Sequence, residues 1–273
     1  MANEPGIERI LDVRPESAFL ERHRVGAVNI PLESLSRRIH ELPPPNAPLT
    51  VYDENRTRAL WAKSRLRARG RTNVVAADGK SWLDAGKTTS GPSQDRLWQP
   101  HALLNEAVNV ARQCWGRVDR KVALDIACGT GRDAAFLAMS GFTVEAWDVL
   151  PDALERCEEI AKRHGVSVRA RCRDVEQDTT IEPEQYDLVC CFNFLHRPLM
   201  PHLAGAVRRG GLVVYETFTD AQKSLFGKPK RDAFLLKPGE LTDYFADWEI
   251  LVYREGLTGP RRHAASLIAR RPS

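Results

Sequence analysis

VALDIACGTGRDAAF, residues 122–136, decides the fold. Val122 to Ile126 is an apolar run broken only by Asp125, and it reads as a strand covered on both faces. Gly129 and Gly131 follow in a turn, and a helix resumes at about Arg132. Glycines at such a turn permit positive φ and let a ligand come close to the backbone. The start of the helix offers unpaired N–H groups to an anionic group.

Working outward, the rest of the second half repeats this alternation. VALDIA, FTVEAWD, VSVRARCRD, YDLVCCFN, GLVVYETF, WEILVYR and AASLIAR read as seven strands, with helices in most of the gaps. That pattern predicts a doubly wound α/β sheet. The last two strands are separated only by TGPRRH, which predicts an antiparallel pair at the sheet edge. The second strand ends at Asp148, seventeen residues past Gly131, where an acid can hold ribose hydroxyls. The third ends at Asp174, on the same edge and within reach of a purine amino group. Together the three strand ends describe a nucleoside pocket. Six cysteines lie in this half, with no CxxC pair and no zinc spacing, so they read as buried free thiols and no metal site is expected.

The turn is ACGTGRD rather than GxGxxG, and an acid precedes it on the strand. It resembles motif I of the class I S-adenosylmethionine-dependent methyltransferases, over residues 96–273. The resemblance implies a Rossmann-like seven-stranded domain with S-adenosyl-L-methionine as cofactor. Asp125, Ala127, Gly129 and Gly131 would surround its methionine part. Asp148, with Val149 beside it, would hold the ribose, and Asp174 with Val175 the adenine. RLWQP, NFLHRPLMP, YETF, FGKP and FLLKPGEL further resemble the tellurite-resistance type of small methyltransferase, whose acceptors are soft nucleophiles or small molecules.

On the acceptor side, NFLHRP follows the fourth strand. Asn193 is a candidate cofactor contact. His196 could orient an acceptor or act as a base, since histidine titrates near neutrality, or simply cap the next helix. Arg197 could bind an anionic substrate in a bidentate way. Glu216 ends the fifth strand and reads equally as a base or a structural acid. FGKPKRDAFLLKPGEL would form a lid or acceptor wall, with Lys228 and Lys230 facing solvent or substrate. Trp98 and Pro100 are placed to cover the cofactor, or for Trp98 to pack in a core. No Asn/Asp-Pro-Pro-aromatic motif follows strand four, which argues against methylation of exocyclic amines on DNA.

The first half has a different texture. ERILDVRP, AVNIP, LTVYD and NVVAADG read as short strands, LESLSRRIHEL and RALWAKSRLRARG as helices, the latter ending at Gly70. This predicts a small parallel α/β sheet. The order LDVRP, VGAVNIP, VYDENRTRA, GRTNVV and DGKSWLDAG resembles the rhodanese sulfurtransferases over residues 5–87. In active members a cysteine opens the loop after the VY strand; here the position is Asp53. Arg58 matches a later loop arginine, and Ala59 replaces a small hydroxyl residue. No cysteine occurs in residues 1–95, so this rhodanese-like domain is expected to be inactive in sulfur transfer.

The expected organisation is therefore a rhodanese-like domain at 1–88, a linker at 89–99 and a methyltransferase domain at 100–273. No apolar run is long enough to span a bilayer, and the start MANEPGIERIL lacks signal-peptide character, so a cytoplasmic protein is expected. Residues 1–95 hold 15 Lys+Arg against 12 Asp+Glu, not the imbalance of a dedicated nucleic-acid binder. One cluster stands out: Arg56, Arg58, Lys63, Arg65, Arg67, Arg69 and Arg71. Three functions follow: a methyltransferase for a small-molecule acceptor (thiol or metalloid oxyanion); an RNA or protein methyltransferase docking through the basic first domain; and a cofactor-binding regulator whose first domain recruits a protein partner. Polar residues at both acceptor-side strand ends favour the first.

Overall fold

The computed structural model describes residues 8–273; the first seven residues of the N-terminal stretch read above lie outside them. The chain divides into two compact units, Met1–Gln99 and Pro100–Ser273.

In the first unit the elements are β1 (Ile10–Asp12), α1 (Glu16–Glu21), β2 (His23–Arg24), β3 (Ala27–Asn29), β4 (Leu49–Tyr52), α2 (Arg56–Arg67), β5 (Val74–Ala76), α3 (Gly79–Asp84) and β6 (Thr88–Thr89). Four strands form a parallel sheet in the order β3-β1-β4-β5. Leu11, Val13, Val51, Ala62 and Leu66 pack into its core. The helix α2 ends as its sequence predicts. Gly70 sits at φ +80, its N–H bonds Arg67 O at 2.9 Å, and the Arg71 N–H reaches back to Leu66 O at 3.2 Å. That is a Schellman cap, which requires the left-handed residue glycine tolerates best.

Two expectations fail here. LESLSRRIHEL forms turns and one 3-10 segment, Ile39–Glu41, instead of an α-helix. Its apolar residues Leu32, Leu35 and Leu42 are buried as anchors all the same, so helical spacing reflected burial rather than helix. GKTTSGPSQDR, residues 86–96, has the Gly, Ser, Thr and Pro content of a linker, yet its start is paired backbone. Thr88 and Thr89 form β6, which pairs antiparallel with β2.

In the second unit the elements are α4 (Ala102–Trp115), β7 (Val122–Ile126), α5 (Arg132–Met139), β8 (Thr143–Asp148), α6 (Pro151–Arg163), β9 (Val168–Cys172), β10 (Tyr186–Phe192), α7 (Met200–Ala206), β11 (Val207–Phe218), α8 (Asp220–Phe226), α9 (Glu240–Asp243), β12 (Glu249–Gly259) and β13 (Arg262–Arg270). The seven strands order as β12-β13-β11-β10-β7-β8-β9. All neighbours from β11 to β9 run parallel, and β13 is antiparallel to both β11 and β12. The expected hairpin thus lies at one edge of the sheet, with β13 inserted between β11 and β12. All seven residues of β10 are buried, as a central strand covered on both faces requires. The carboxyl ends of the parallel strands lie along one edge of the sheet, at Ile126, Asp148, Cys172, Phe192 and Phe218.

The thiols differ from expectation. Cys157, Cys190 and Cys191 are buried, but Cys114 and Cys128 are half-buried and Cys172 is exposed. Cys172 closes β9, a strand with no fully buried residue, and is exposed at its end. Among the described residues no helix is long and apolar enough to cross a membrane, and no group of three His, Cys, Asp or Glu side chains is placed to hold a metal ion.

Candidate active site

The site is built from the glycine turn upward. The Ala127 backbone sits at φ +55, Gly129 at +53 and Gly131 at +75. Three left-handed residues in five fold the chain sharply away from β7 and into α5. At Gly131 a Cβ would lie 2.2 Å from the Cys157 Sγ of α6, so only glycine lets the helices pack. At Gly129 nothing lies within 4 Å of the Cβ position. One glycine is therefore demanded by packing and the other leaves an open approach to the backbone.

Asp125 is 2% exposed, and its Oδ2 has no hydrogen-bond partner. Its Oδ1 receives the weak Cys190 thiol donor at 3.5 Å. Burial first, then repulsion by Asp133, pushes the Asp125 carboxyl well above the usual carboxylate range. A buried carboxylate with an orphan oxygen and an acidic neighbour is set for a cationic ligand group. At the end of β8, Asp148 Oδ2 accepts the Gly129 N–H at 2.8 Å and Oδ1 accepts the Leu150 N–H at 3.0 Å. The glycine turn and Asp148 are thus one hydrogen-bonded assembly. Val149 beside it is an exposed apolar residue.

Asp174 lies two residues past β9, and its Oδ1 accepts the Glu176 N–H at 3.0 Å. The Val175 side chain packs into the main core with Leu124 and Trp147.

The acceptor side holds a cluster that the sequence reading caught in part. Glu216, 4% exposed, is held by four side-chain contacts. Arg262 donates to its Oε1 through Nε at 3.1 Å and Nη2 at 2.8 Å. The Ser266 hydroxyl donates to Oε2 at 2.6 Å, and His101 Nε2 lies 3.1 Å from Oε1. Burial alone would raise this carboxyl; His101, Ser266 and Arg262 outweigh it and hold it at about 2. Glu216 is therefore ionised and a poor proton acceptor. Of the two readings of Glu216, these contacts favour the structural acid over the base. The His101 ring stacks on Phe192 at 4.2 Å, and its backbone N–H donates to Asp133 Oδ1 at 2.6 Å. His101 so links the glycine-turn helix α5 to the end of β11. Asn193 is also left-handed at φ +59, and its Oδ1 accepts from Arg262 Nη1 at 2.5 Å.

The NFLHRP residues separate. Arg197 was expected at substrate, but its fork is committed elsewhere. It donates to both oxygens of Glu240, at 2.6 and 2.9 Å, and to the carbonyls of Ala233 and Leu235 at 3.0 and 2.9 Å. Its role is to strap the 233–240 segment to the turn after β10. The carbonyl of His196 accepts the Leu199 N–H at 3.0 Å, which fits the capping alternative. Lys228 and Lys230 are exposed, and Trp98 is fully buried.

His101, Arg262 and Ser266 were not found from sequence. His101 precedes α4 in QPHALL, an ordinary helix entry, and its partner lies 46 residues upstream of Arg262 on another strand. Only the antiparallel register, which sets Glu216 opposite Ser266, brings them together.

Fold, glycine turn and strand-end acids define a class I methyltransferase domain in the second unit. Residues 96–265, well over half of the chain, match the family described as tellurite resistance protein TehB, and residues 1–81 match the rhodanese-like domain. The chain belongs to the TehB family. It is 27% identical over 143 residues to the "Probable S-adenosyl-L-methionine-dependent methyltransferase TehB" of Haemophilus influenzae, covering 49% of this chain and 48% of that one. An uncharacterised Schizosaccharomyces pombe protein is 26% identical over 85% of this chain and 83% of its own. A ubiquinone biosynthesis O-methyltransferase of Bordetella bronchiseptica is 30% identical over 47% of this chain and 58% of its own length. The chain thus spans about half the length of several of the curated relatives it matches. Among solved structures, TehB from Haemophilus influenzae superposes with a TM-score of 0.50 at 22% identity, covering 61% of this chain and 62% of that one. A magnesium protoporphyrin IX methyltransferase from Synechocystis gives 0.51 at 18%, covering 62% and 81%. Its cofactor is S-adenosyl-L-methionine, and the first unit is rhodanese-like.

Proposed function

We propose that the second unit transfers a methyl group from S-adenosyl-L-methionine to a small soft or anionic acceptor, a thiol or a metalloid oxyanion, bound beside Arg262. The observation that carries this is the Glu216–Arg262–His101–Asn193 cluster at the ends of β10 and β11, on the sheet edge shared with the glycine turn. The cofactor supplies a methyl group on a sulfonium, which is electrophile and leaving group in one. The residues present fit it. The orphan oxygen of Asp125 matches a cationic amino-acid head. The open backbone at Gly129 would let the ligand approach, Asp148 would hold the ribose hydroxyls, and Val149 with the Asp174–Val175 backbone would take the base.

The chain's own task is then to hold the acceptor and exclude water. Arg262 is fixed by Glu216 and Asn193, so its orientation is set before an acceptor arrives. Five N–H donors on a guanidinium exceed the three bonds it makes here, which leaves donors for an anionic acceptor. Glu216, ionised, anchors the guanidinium and takes no proton. The name of the family and the similarity to O-methyltransferases support an acceptor of small size.

In the first unit, Asp53 stands where sulfurtransferases carry cysteine. Its Oδ1 accepts the Asn55 N–H and its Oδ2 the Arg58 Nε, both at 2.9 Å, so these two loop donors are taken by the carboxylate itself. This supports a rhodanese-like unit that transfers no sulfur.

The test is calorimetric binding of S-adenosylhomocysteine to the full chain and its Asp148→Ala variant, followed by transfer of labelled methyl groups to tellurite and to simple thiols. Loss of binding in the variant, with labelling by the native protein, is expected. Undiminished binding in Asp148→Ala sinks the cofactor site. Labelling only of macromolecules sinks the acceptor class.

A further inference from the structure

The basic cluster around α2 takes no part in this reading, yet it lines a cavity. A groove of about 370 Å³ runs beside α2, bounded by Leu32, Glu33, Thr57, Arg58, Trp61 and Arg65. Trp61 is 61% exposed although it is the largest side chain type, and Leu60 next to it is 46% exposed. The Arg65 guanidinium lies over the Trp61 ring at 5.3 Å. Arg65 and Arg69 are steadied by bonds to neutral acceptors, Leu32 O at 3.4 Å and Ser36 Oγ at 3.3 Å, and neither makes an ion pair among the described residues. Arg58, by contrast, is already neutralised by Asp53 and Glu33, each at 2.9 Å.

We propose that this groove binds a nucleotide, its base stacked on Trp61 and its phosphate held by Arg65 and Arg69. Trp61 and Arg65 lie one turn apart on one face of α2, and Arg69 follows two residues past the helix end, in the turn closed by Gly70. An aromatic plane with cations in line is how proteins hold unpaired bases and their backbone. Arg65 covers one face of the indole and leaves the other for the base. Glu33, paired with Arg58 and within the field of Arg65, would repel phosphate but accept hydrogens from a sugar hydroxyl or a base amino group, so the anionic end is assigned to the donors of Arg65 turned from Glu33 and to Arg69. An acidic peptide fits less well, because it lacks the flat ring that an exposed tryptophan with a flanking guanidinium recognises. The groove borders the loop that carries Asp53, since Thr57 and Arg58 line its wall, but Asp53 is not among the lining residues and Arg58 is already bonded to it. The groove stands independently of the methyl acceptor, since every residue belongs to the first unit.

The experiment uses the full chain and a fluorescein-labelled oligoadenylate of eight nucleotides, followed by anisotropy across a salt series. Two neutralised phosphates predict a log–log salt slope of about −1.4. Trp61→Ala and Arg65→Glu should each weaken binding about tenfold or more. Arg67→Glu, the same charge change on an exposed residue that does not line the groove, should stay within about twofold of the native chain. Competition with adenosine monophosphate separates the two sources of the ligand: near-equal potency points to a free nucleotide, much weaker potency to a strand. Either outcome sustains the nucleotide. Absence of saturable binding at low salt overturns the proposal. So does equal weakening by Arg67→Glu and Arg65→Glu, or equal displacement by an octaglutamate peptide, because each reduces the groove to diffuse positive charge.

Discussion

Replacing Asp125 by asparagine should make the ligand-free second unit more stable while weakening its grip on the cofactor. Asp125 is 2% exposed with an unpartnered Oδ2, and burial followed by Asp133 raises its carboxyl well above 3.8. The sign follows from linkage. An acid whose folded value lies above its unfolded one costs nothing while both states are protonated, and costs stability as pH rises toward the folded value. Each unit of separation is worth about 1.4 kcal/mol. An unsatisfied buried polar group costs about 1–3 kcal/mol, more if charged. Asparagine keeps the shape and removes the charge, so a gain of about 1–3 kcal/mol at neutral pH is expected. For a domain of this size that is about 2–10 °C in melting temperature. The same change deletes a charge-assisted bond to the ligand, worth about 1.5–3 kcal/mol, or about 10- to 100-fold in affinity. Differential scanning calorimetry of the ligand-free proteins at mildly acidic and mildly alkaline pH, with titration of S-adenosylhomocysteine, measures both. The stability gap should widen toward alkaline pH. A variant that melts below the native protein at alkaline pH, or that binds with unchanged affinity, would refute the reasoning.

Other expectations concern neighbouring residues. Glu216 is held at about 2 against an ordinary 4.5, so Glu216→Gln should cost about 3 kcal/mol at neutral pH. Because its folded value is depressed, this contribution is complete above 4.5 and vanishes as pH falls through about 2, so acid titrations of the variant should be flatter across that window. Gly131→Ala places a Cβ 2.2 Å from Cys157 Sγ at φ +75, which should destabilise by about 3 kcal/mol or more in urea unfolding. Adding Cys157→Ala should recover only part of that, since the backbone strain stays. Arg197→Met should speed amide exchange through 233–240 and leave cofactor affinity unchanged; lost methyl transfer without faster exchange would return Arg197 to the substrate.

The parts of the fold set by local rules were legible in the sequence. The glycine turn, the buried run of β10 and the Gly70 helix stop each follow from a few neighbouring residues. The acids at the ends of β7 and β8 were legible because strand alternation and the turn fix where they stand. What escaped was either tertiary or ambiguous in period. Leu32, Leu35 and Leu42 repeat like a helix but are anchors of a loop. Thr88 and Thr89 look like linker until β2 offers its edge. Arg197 looked like a substrate ligand because nothing local announces Glu240, 43 residues away. His101 was missed because its meaning comes from Glu216 on a strand it does not neighbour in sequence.

The insertion of β13 between β11 and β12 carries a consequence for assembly during synthesis. Arg262 and Ser266 belong to the strand made after every other strand of the sheet. A growing chain can complete the glycine turn and its strand-end acids long before they exist. Until β13 threads into place, Glu216 lacks its guanidinium and hydroxyl, and β12 has no neighbour to pair with. The glycine turn and its bond to Asp148 involve only earlier segments, whereas the Glu216–Arg262–Ser266 cluster is the last part of the sheet edge to be assembled.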